Sequence, residues 1–177
     1  MTRGREVVLA LGSNLGDRLA TLQQAVDLLC GEEFRCTAVS GVYETAPVGG
    51  PPQDDYLNAV LLGRSDLPPA RLLGLTQAAE AALHRVRAER WGPRTLDVDI
   101  VAYGDERSAD PVLTLPHPRA HERAFVLVPW LEADPDAVLP GRGPVARLVA
   151  ATGTAGVRRL EDASLSLPPA QAAEGAR

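Results

Sequence analysis

The chain has no lysine: all 18 of its basic residues are arginine. That absence excludes a Walker-type phosphate loop with its lysine, a pyridoxal Schiff base and any lysine general base. Phosphate, if handled, must be handled by arginine. Aromatic residues are scarce, with two Phe, two Trp and three Tyr, so each is a candidate for a specific task. Cysteine is limited to Cys30 and Cys36, outside CxxC spacing, and two such residues suggest no disulfide framework. The reading is therefore of reduced, partly buried thiols. No apolar run approaches the roughly 18 residues of a membrane span. The N-terminal MTRGREVVLALGSN lacks the long apolar region and small-residue cleavage site of a signal peptide, which favours the cytoplasm. A formal charge of −5 argues against generic adhesion to nucleic acid, whose backbone selects basic surfaces.

What is present suits one globular unit. The 177 residues are 45% hydrophobic, enough for a real core in a single domain. EVVLALGS reads as a buried strand running into a turn. Leu15, Leu19, Leu22, Val26 and Leu29 then recur at helical spacing, with Asp17 in the first turn and Gly31 closing the helix. Residues 35–43 and 56–62 read as strands separated by TAPVGGPPQDD, a loop too long for a tight hairpin and of the length that often carries function. Pro68 and Pro69 open a second helix, with Leu72, Thr76, Ala79 and Leu83 on one face. After the charged stretch HRVRAERWGPR comes the strand TLDVDIVAY. The order strand, helix, strand, strand, helix, strand predicts an α+β fold with a ferredoxin-like βαββαβ core, a two-layer sandwich. ERAFVLVPWL and VARLVAAT add short C-terminal helices. The domain is expected over residues 1–162, and residues 163–177 read as a loose, disordered tail.

The sharpest chemical signal is Asp97 with Asp99. On a strand, positions i and i+2 share a face about 6.7 Å apart, whereas on a helix they diverge by about 200°. Leu96, Val98 and Ile100 then take the opposite face into the core. Two carboxylates so close repel unless a cation lies between them, and hard oxygen ligands with room for phosphate and water suit Mg²⁺. An isolated DxD is more often a solvated acidic face. Here it follows Arg85, Arg87, Arg90 and Arg94, with Trp91 among them, and guanidinium forks bind phosphate oxygens in pairs. Together these residues make a candidate polyphosphate clamp, since phosphoryl transfer is largely positioning and charge neutralisation.

Tyr56 and Asn58 share a strand face, and Asn58 offers both a donor and acceptors to a heterocycle edge. Taken by themselves, Tyr56 and Phe125 read more readily as core residues. His117 and His121 have the i, i+4 spacing of a helical zinc pair, but Pro118 and the missing HExxH pattern favour His117 as a phosphate or nucleotide partner. GSNLGD matches neither phosphate-loop pattern and reads as a strand-to-helix turn.

Four blocks, LALGSNLGDR, YETAPVG with QDDYLNAV, RVRAERWGPRTLDVDIVAYG and LPHPRAHERAFVLVPWLEADP, occur in an order that resembles the 6-hydroxymethyl-7,8-dihydropterin pyrophosphokinases of folate biosynthesis. The resemblance covers residues 7 to about 140. It implies a ferredoxin-like fold, ATP and the hydroxymethylpterin as substrates, and two Mg²⁺ ions held by Asp97 and Asp99. It implies Arg85 and Arg94 as catalytic, with Leu73, Gln77, Glu80, Arg87, Arg90, Trp91, Ile100, Thr114, His117 and Arg123 on the ATP side. Thr45, Pro47, Val48, Tyr56, Asn58, Trp91 and Phe125 would bind the pterin, and the protein would act as a monomer without nucleic acid or membrane. His84 stands where the pattern has glycine. Two rival readings are another Mg²⁺-dependent, nucleotide-using transferase with a DxD pair and a non-catalytic ferredoxin-like binding module.

Overall fold

The computed structural model of the protein describes residues 4–83 and 95–169. Strand β1, Arg5–Ser13, carries Val7, Leu9 and Leu11 on one face, each at most 1% exposed, and Val8 on the other. It is buried on both sides, as a near-continuous apolar run implies. Helix α1, Arg18–Leu29, begins where the Asp17 carboxylate accepts the Ala20 N–H at 3.1 Å, so Asp17 is the N-cap and not a first-turn residue. Leu22, Val26 and Leu29 are buried as expected, whereas Leu15 precedes the helix and is 42% exposed.

The reduced thiols are corrected by the structure: Cys30 and Cys36 form a disulfide, their Cα atoms 5.5 Å apart. Cys30 caps α1 and Cys36 lies in β2, Arg35–Val39, and a turn closed by Gly31 N–H to Phe34 C=O brings helix end and strand start together. Linear spacing says nothing of that turn.

The strand expected over 35–43 is broken into β2 and β3, Tyr43–Thr45. At the break Ser40 replaces the ladder, its N–H donating to Val60 C=O and its Oγ accepting the Val60 N–H, both at 2.9 Å. Val39 pairs with Leu61 but Tyr43 with Asn58, so the broken strand holds one extra residue, a bulge against β4, Tyr56–Ser65.

Helix α2, Pro69–Ala82, opens on the proline as predicted and buries Leu72, Thr76 and Ala79. Strand β5 spans Asp97–Tyr103, and short strand β8, Val157–Arg159, follows late in the chain. The antiparallel sheet runs β5-β1-β4-β3-β8, with β2 also on β4. Leaving out β8, this is the strand order of the expected ferredoxin-like core.

One face packs α1 and α2 onto Leu9, Leu11, Leu57, Leu61, Val98 and Ile100. On the other face, α3, Ala124–Ala133, and α4, Val145–Thr152, do more than decorate a two-layer sandwich. Val126, Leu127, Trp130 and Val145 pack on Val8, Val60, Val101 and Ala102, adding a third layer over half of the sheet. A two-stranded hairpin, β6 (Val138–Leu139) with β7 (Gly143–Pro144), joins the two helices. The expected loose tail also differs: Leu165 and Leu167 pack on the first-face core, and Ser166 exchanges two hydrogen bonds with Gln23 at 2.9 and 3.0 Å. Residues 170–177 lie outside the described residues.

Candidate active site

Where the third layer stops, the second face of the sheet opens into a cavity of about 490 Å³, within the range of small-molecule sites. Three strands supply its floor. Asp97 and Asp99 project from β5 while Val98 and Ile100 are buried in the opposite core, which is the predicted division of the strand. Across the ladder on β1, Gly12 pairs with Asp97 and Ala10 with Asp99, so the carboxylates look out over the two smallest side chains available. A Cβ at Gly12 would lie 3.2 Å from Asn58 Oδ1 and 3.5 Å from Tyr56 Cδ1, so the missing side chain keeps these two β4 groups accessible.

Asn58 is 6% exposed and donates from Nδ2 to Thr45 Oγ1 at 2.6 Å, which orients its amide. Thr45, Ala46, Pro47, Val48 and Gln53 line the same end, and Phe125 enters from the start of α3. The Arg123 guanidinium sits over the Phe125 ring, 5.5 Å from its centroid, and 3.9 Å from Asp99 Oδ2. It joins the aromatic and acidic ends. Burial lowers its pKa and the Asp99 charge partly restores it, leaving a cation held in a confined site.

His117 lies along the outer side of β5, its N–H donating to Val101 C=O at 2.8 Å. Its Nδ1 accepts the Arg119 N–H at 3.2 Å, which leaves the proton on Nε2. Burial, then the Arg123 charge, lower its pKa to about 4; Asp97 pulls the other way, and Arg119 adds the smallest push downward. The imidazole is neutral at pH 7, a donor without charge. The alternative zinc pairing of His117 with His121 finds no third ligand: no group of three His, Cys, Asp or Glu suited to a metal occurs among the described residues.

The predicted pterin residues Thr45, Pro47, Val48, Tyr56, Asn58 and Phe125 thus converge, together with Asp97, Asp99 and Arg123. Leu73, Gln77, Glu80, Ile100, Thr114 and His117 do not line this cavity. Leu73 and Ile100 belong to the α2 side of the sheet, and buried Glu80 accepts the Val98 N–H at 2.9 Å, pinning α2 to β5. Gln77 is exposed on α2, and Thr114 donates to Asp110 C=O at 3.0 Å. Arg85, Arg87, Arg90, Trp91 and Arg94, with His84, lie outside the described residues. Ala10, Gly12, Arg119, Glu122 and the Ala155–Val157 segment line the cavity without having been singled out in the sequence. Period-two reading of LALGS would have found the first two; HPRAHER carries the basic signal for Arg119.

Paired carboxylates, a confined guanidinium and an aromatic, amide-edged end meet in one cavity, a lining with the chemistry to receive cations and anionic groups beside a flat polar ring. The chain belongs to the 7,8-dihydro-6-hydroxymethylpterin-pyrophosphokinase (HPPK) family, whose model matches residues 8–135. It is 47% identical over 165 residues to the 2-amino-4-hydroxy-6-hydroxymethyldihydropteridine pyrophosphokinase of Mycobacterium tuberculosis, covering 85% of this chain and 84% of that one. The enzyme of the same name from Methylorubrum extorquens is 44% identical over 154 residues, covering 86% and 97%. Among solved structures, a crystal structure of an HPPK-DHPS in complex with substrates superposes with a TM-score of 0.65 at 11% identity. The match covers 84% of this chain and 43% of that longer one, and it supports the fold alone. No helix among the described residues is long and apolar enough to cross a membrane.

Proposed function

We propose that this chain transfers the β,γ-diphosphate of ATP to the hydroxymethyl oxygen of 6-hydroxymethyl-7,8-dihydropterin, releasing AMP, as a step of folate biosynthesis. The observation that carries this reading is the meeting of Asp97 and Asp99 with Tyr56, Asn58 and Phe125 around one cavity. The pterin ring lies between Tyr56 and Phe125 with its polar edge on Asn58. That places its hydroxymethyl group toward the carboxylates. The Asp97 and Asp99 oxygens fit hard cations, and two Mg²⁺ ions bound there would neutralise triphosphate charge and template the reactants.

The chain's own residues supply the rest. The hydroxymethyl oxygen forms a bond to the β-phosphorus, the bond from that phosphorus to the α,β-bridging oxygen breaks, AMP departs with that oxygen, and the hydroxyl proton passes to solvent. Arg123, held beside Asp99, balances charge on the transferred group. Arg85 and Arg94 add catalytic charge, and Arg87, Arg90 and Trp91 hold ATP, with Trp91 also covering the pterin. Leu73, Gln77, Glu80, Ile100, Thr114 and His117 form the nucleotide side around β5, where the neutral His117 donates to a phosphate or nucleotide acceptor. No residue is assigned as general base.

The protein acts as a cytoplasmic monomer on this reading; the Cys30–Cys36 disulfide removes reduced thiols from the arguments for that compartment. Incubation with Mg²⁺, ATP and the hydroxymethylpterin is expected to yield AMP and the pterin diphosphate in equal amounts. Formation of ADP would overturn the mechanism.

A further inference from the structure

One side of the cavity comes from a part of the chain that carries no motif. Ala155, Gly156 and Val157 line it, the last being the first residue of β8. Val157 pairs with Thr45, and Thr45 pairs in turn with Tyr56. Directly opposed residues on adjacent strands share a face. Val157, Thr45 and Tyr56 therefore form one row across three strands, and all three line the cavity.

A three-residue edge strand gains little from its own ladder, so the side chains that hold it matter. Glu44, between Tyr43 and Thr45, accepts hydrogen bonds from Arg158 on one side and, at 3.0 Å, from Arg18 on the other. Arg18 also donates to Asp55 C=O at 2.8 Å, at the end of the Gly/Pro-rich loop. Glu132 of α3 accepts from Arg159 at 3.2 Å, from the Tyr43 hydroxyl and from Gly41 N–H at 3.0 Å. Burial, the largest single influence, would raise both carboxylates, but together the hydrogen bonds and charges of Arg158 and Arg18 at Glu44, and of Arg159 with Tyr43 and Gly41 at Glu132, hold them below the ordinary range. Beyond β8, Leu160 N–H donates to Val42 C=O at 2.9 Å, and Leu165 and Leu167 dock on the opposite core. The segment is fastened at and after the residue that meets the cavity.

We propose that Val157 is a substrate-contacting residue that sets the width of the pterin end, and that Glu44 is a positioning residue that fixes its distance by gripping Arg158 and Arg18. This rests on the reading that Tyr56, Asn58 and Phe125 hold the pterin. The test is steady-state AMP formation by the full chain at saturating ATP and Mg²⁺, with pterin varied, folding being checked by thermal melts.

Val157→Trp narrows the cavity and is expected to raise the pterin KM about tenfold with kcat within about twofold and the ATP KM unchanged. Val157→Ala widens it, raising the parent KM about threefold while shifting preference toward a bulkier, alkyl-substituted pterin. Glu44→Gln, which removes the grip but keeps the shape, is expected to raise the pterin KM about threefold at unchanged kcat. Tyr56→Ala is the control. If it raises the pterin KM and folded Val157 variants leave both KM and preference unmoved, the contact is wrong; an unmoved KM in Glu44→Gln alone removes the positioning role. If Tyr56→Ala also changes nothing, the pterin is not in this end of the cavity, and both readings fall.

Discussion

The second face of the sheet has two halves built from the same three strands, and they differ by a few side chains. In the covered half β1 shows Val8, β4 shows Val60 and β5 shows Val101, and α3 and α4 close over them with Leu127 and Trp130. A few residues along, the same strands show Ala10 and Gly12, Asn58 and Tyr56, and Asp99 and Asp97, and these line the cavity. Branched apolar side chains in the first half reward burial by a third layer at roughly 25 cal/mol per Å². In the second half small residues offer little area and carboxylates resist desolvation, so the layer stops and leaves a cavity. The site is thus made by what the sheet withholds from its own core.

The largest expected break in that comparison comes from the acidic pair. Asp97→Ala or Asp99→Ala is expected to lower turnover about 10³-fold or more while leaving the melting temperature near that of the wild type, as AMP release and thermal melts would record. Near-normal turnover would remove both residues from cation binding. In the covered half the effect reverses in kind. Leu127→Ala, at a fully buried position, is expected to cost about 2–5 kcal/mol in urea unfolding without changing the pterin KM of the remaining folded enzyme.

A smaller effect tests the floor itself. Gly12→Val makes the open half imitate the covered one, and with a Cβ already 3.2 Å from Asn58 Oδ1 it is expected to raise the pterin KM about tenfold with ATP affinity unaffected. A pterin KM equal to the wild type's would show that the floor can give way. The smallest effect concerns His117 beside β5. Because its folded pKa is lowered to about 4 from 6.5, the unfolded chain takes up its proton first as pH falls. Its contribution to stability is present above pH 6.5 and is lost between there and about pH 4. His117→Gln is expected to flatten the stability profile across that window, measured by urea unfolding at each pH; an unchanged slope would show that other groups carry it.

Much of this site was legible where the relevant geometry is local. Asp97 and Asp99 fall on one face of β5 because a strand has period two, and Leu96, Val98 and Ile100 are indeed buried. The amphipathic spacing placed Leu22, Val26, Leu72 and Ala79 correctly for the same reason. Glu80 illustrates the limit. Helical spacing alone puts Leu73, Gln77 and Glu80 in one stripe, but it does not show that Glu80, 6% exposed, accepts the Val98 N–H and ties α2 to β5.

Other features were invisible for a shared physical reason. The Ser40 break needs the Val60 backbone opposite it, and the Cys30–Cys36 bond needs a helix end folded back on a strand start. Leu165 and Leu167 look like tail residues until α1 and the first-face core are available to receive them. Val157 gains a role only because β8 pairs with β3 beside the cavity.

From its residues alone this protein specified its main helices and long strands, the strand order that its βαββαβ pattern favours, and which carboxylates share a strand face, since periodicity and residue type are properties of short stretches. The folded chain decided how far the third layer reaches, which small residues lie opposite the acids, and which late strand walls the cavity. Those depend on contacts between segments far apart in sequence, whose partners are chosen by the packing of the whole core.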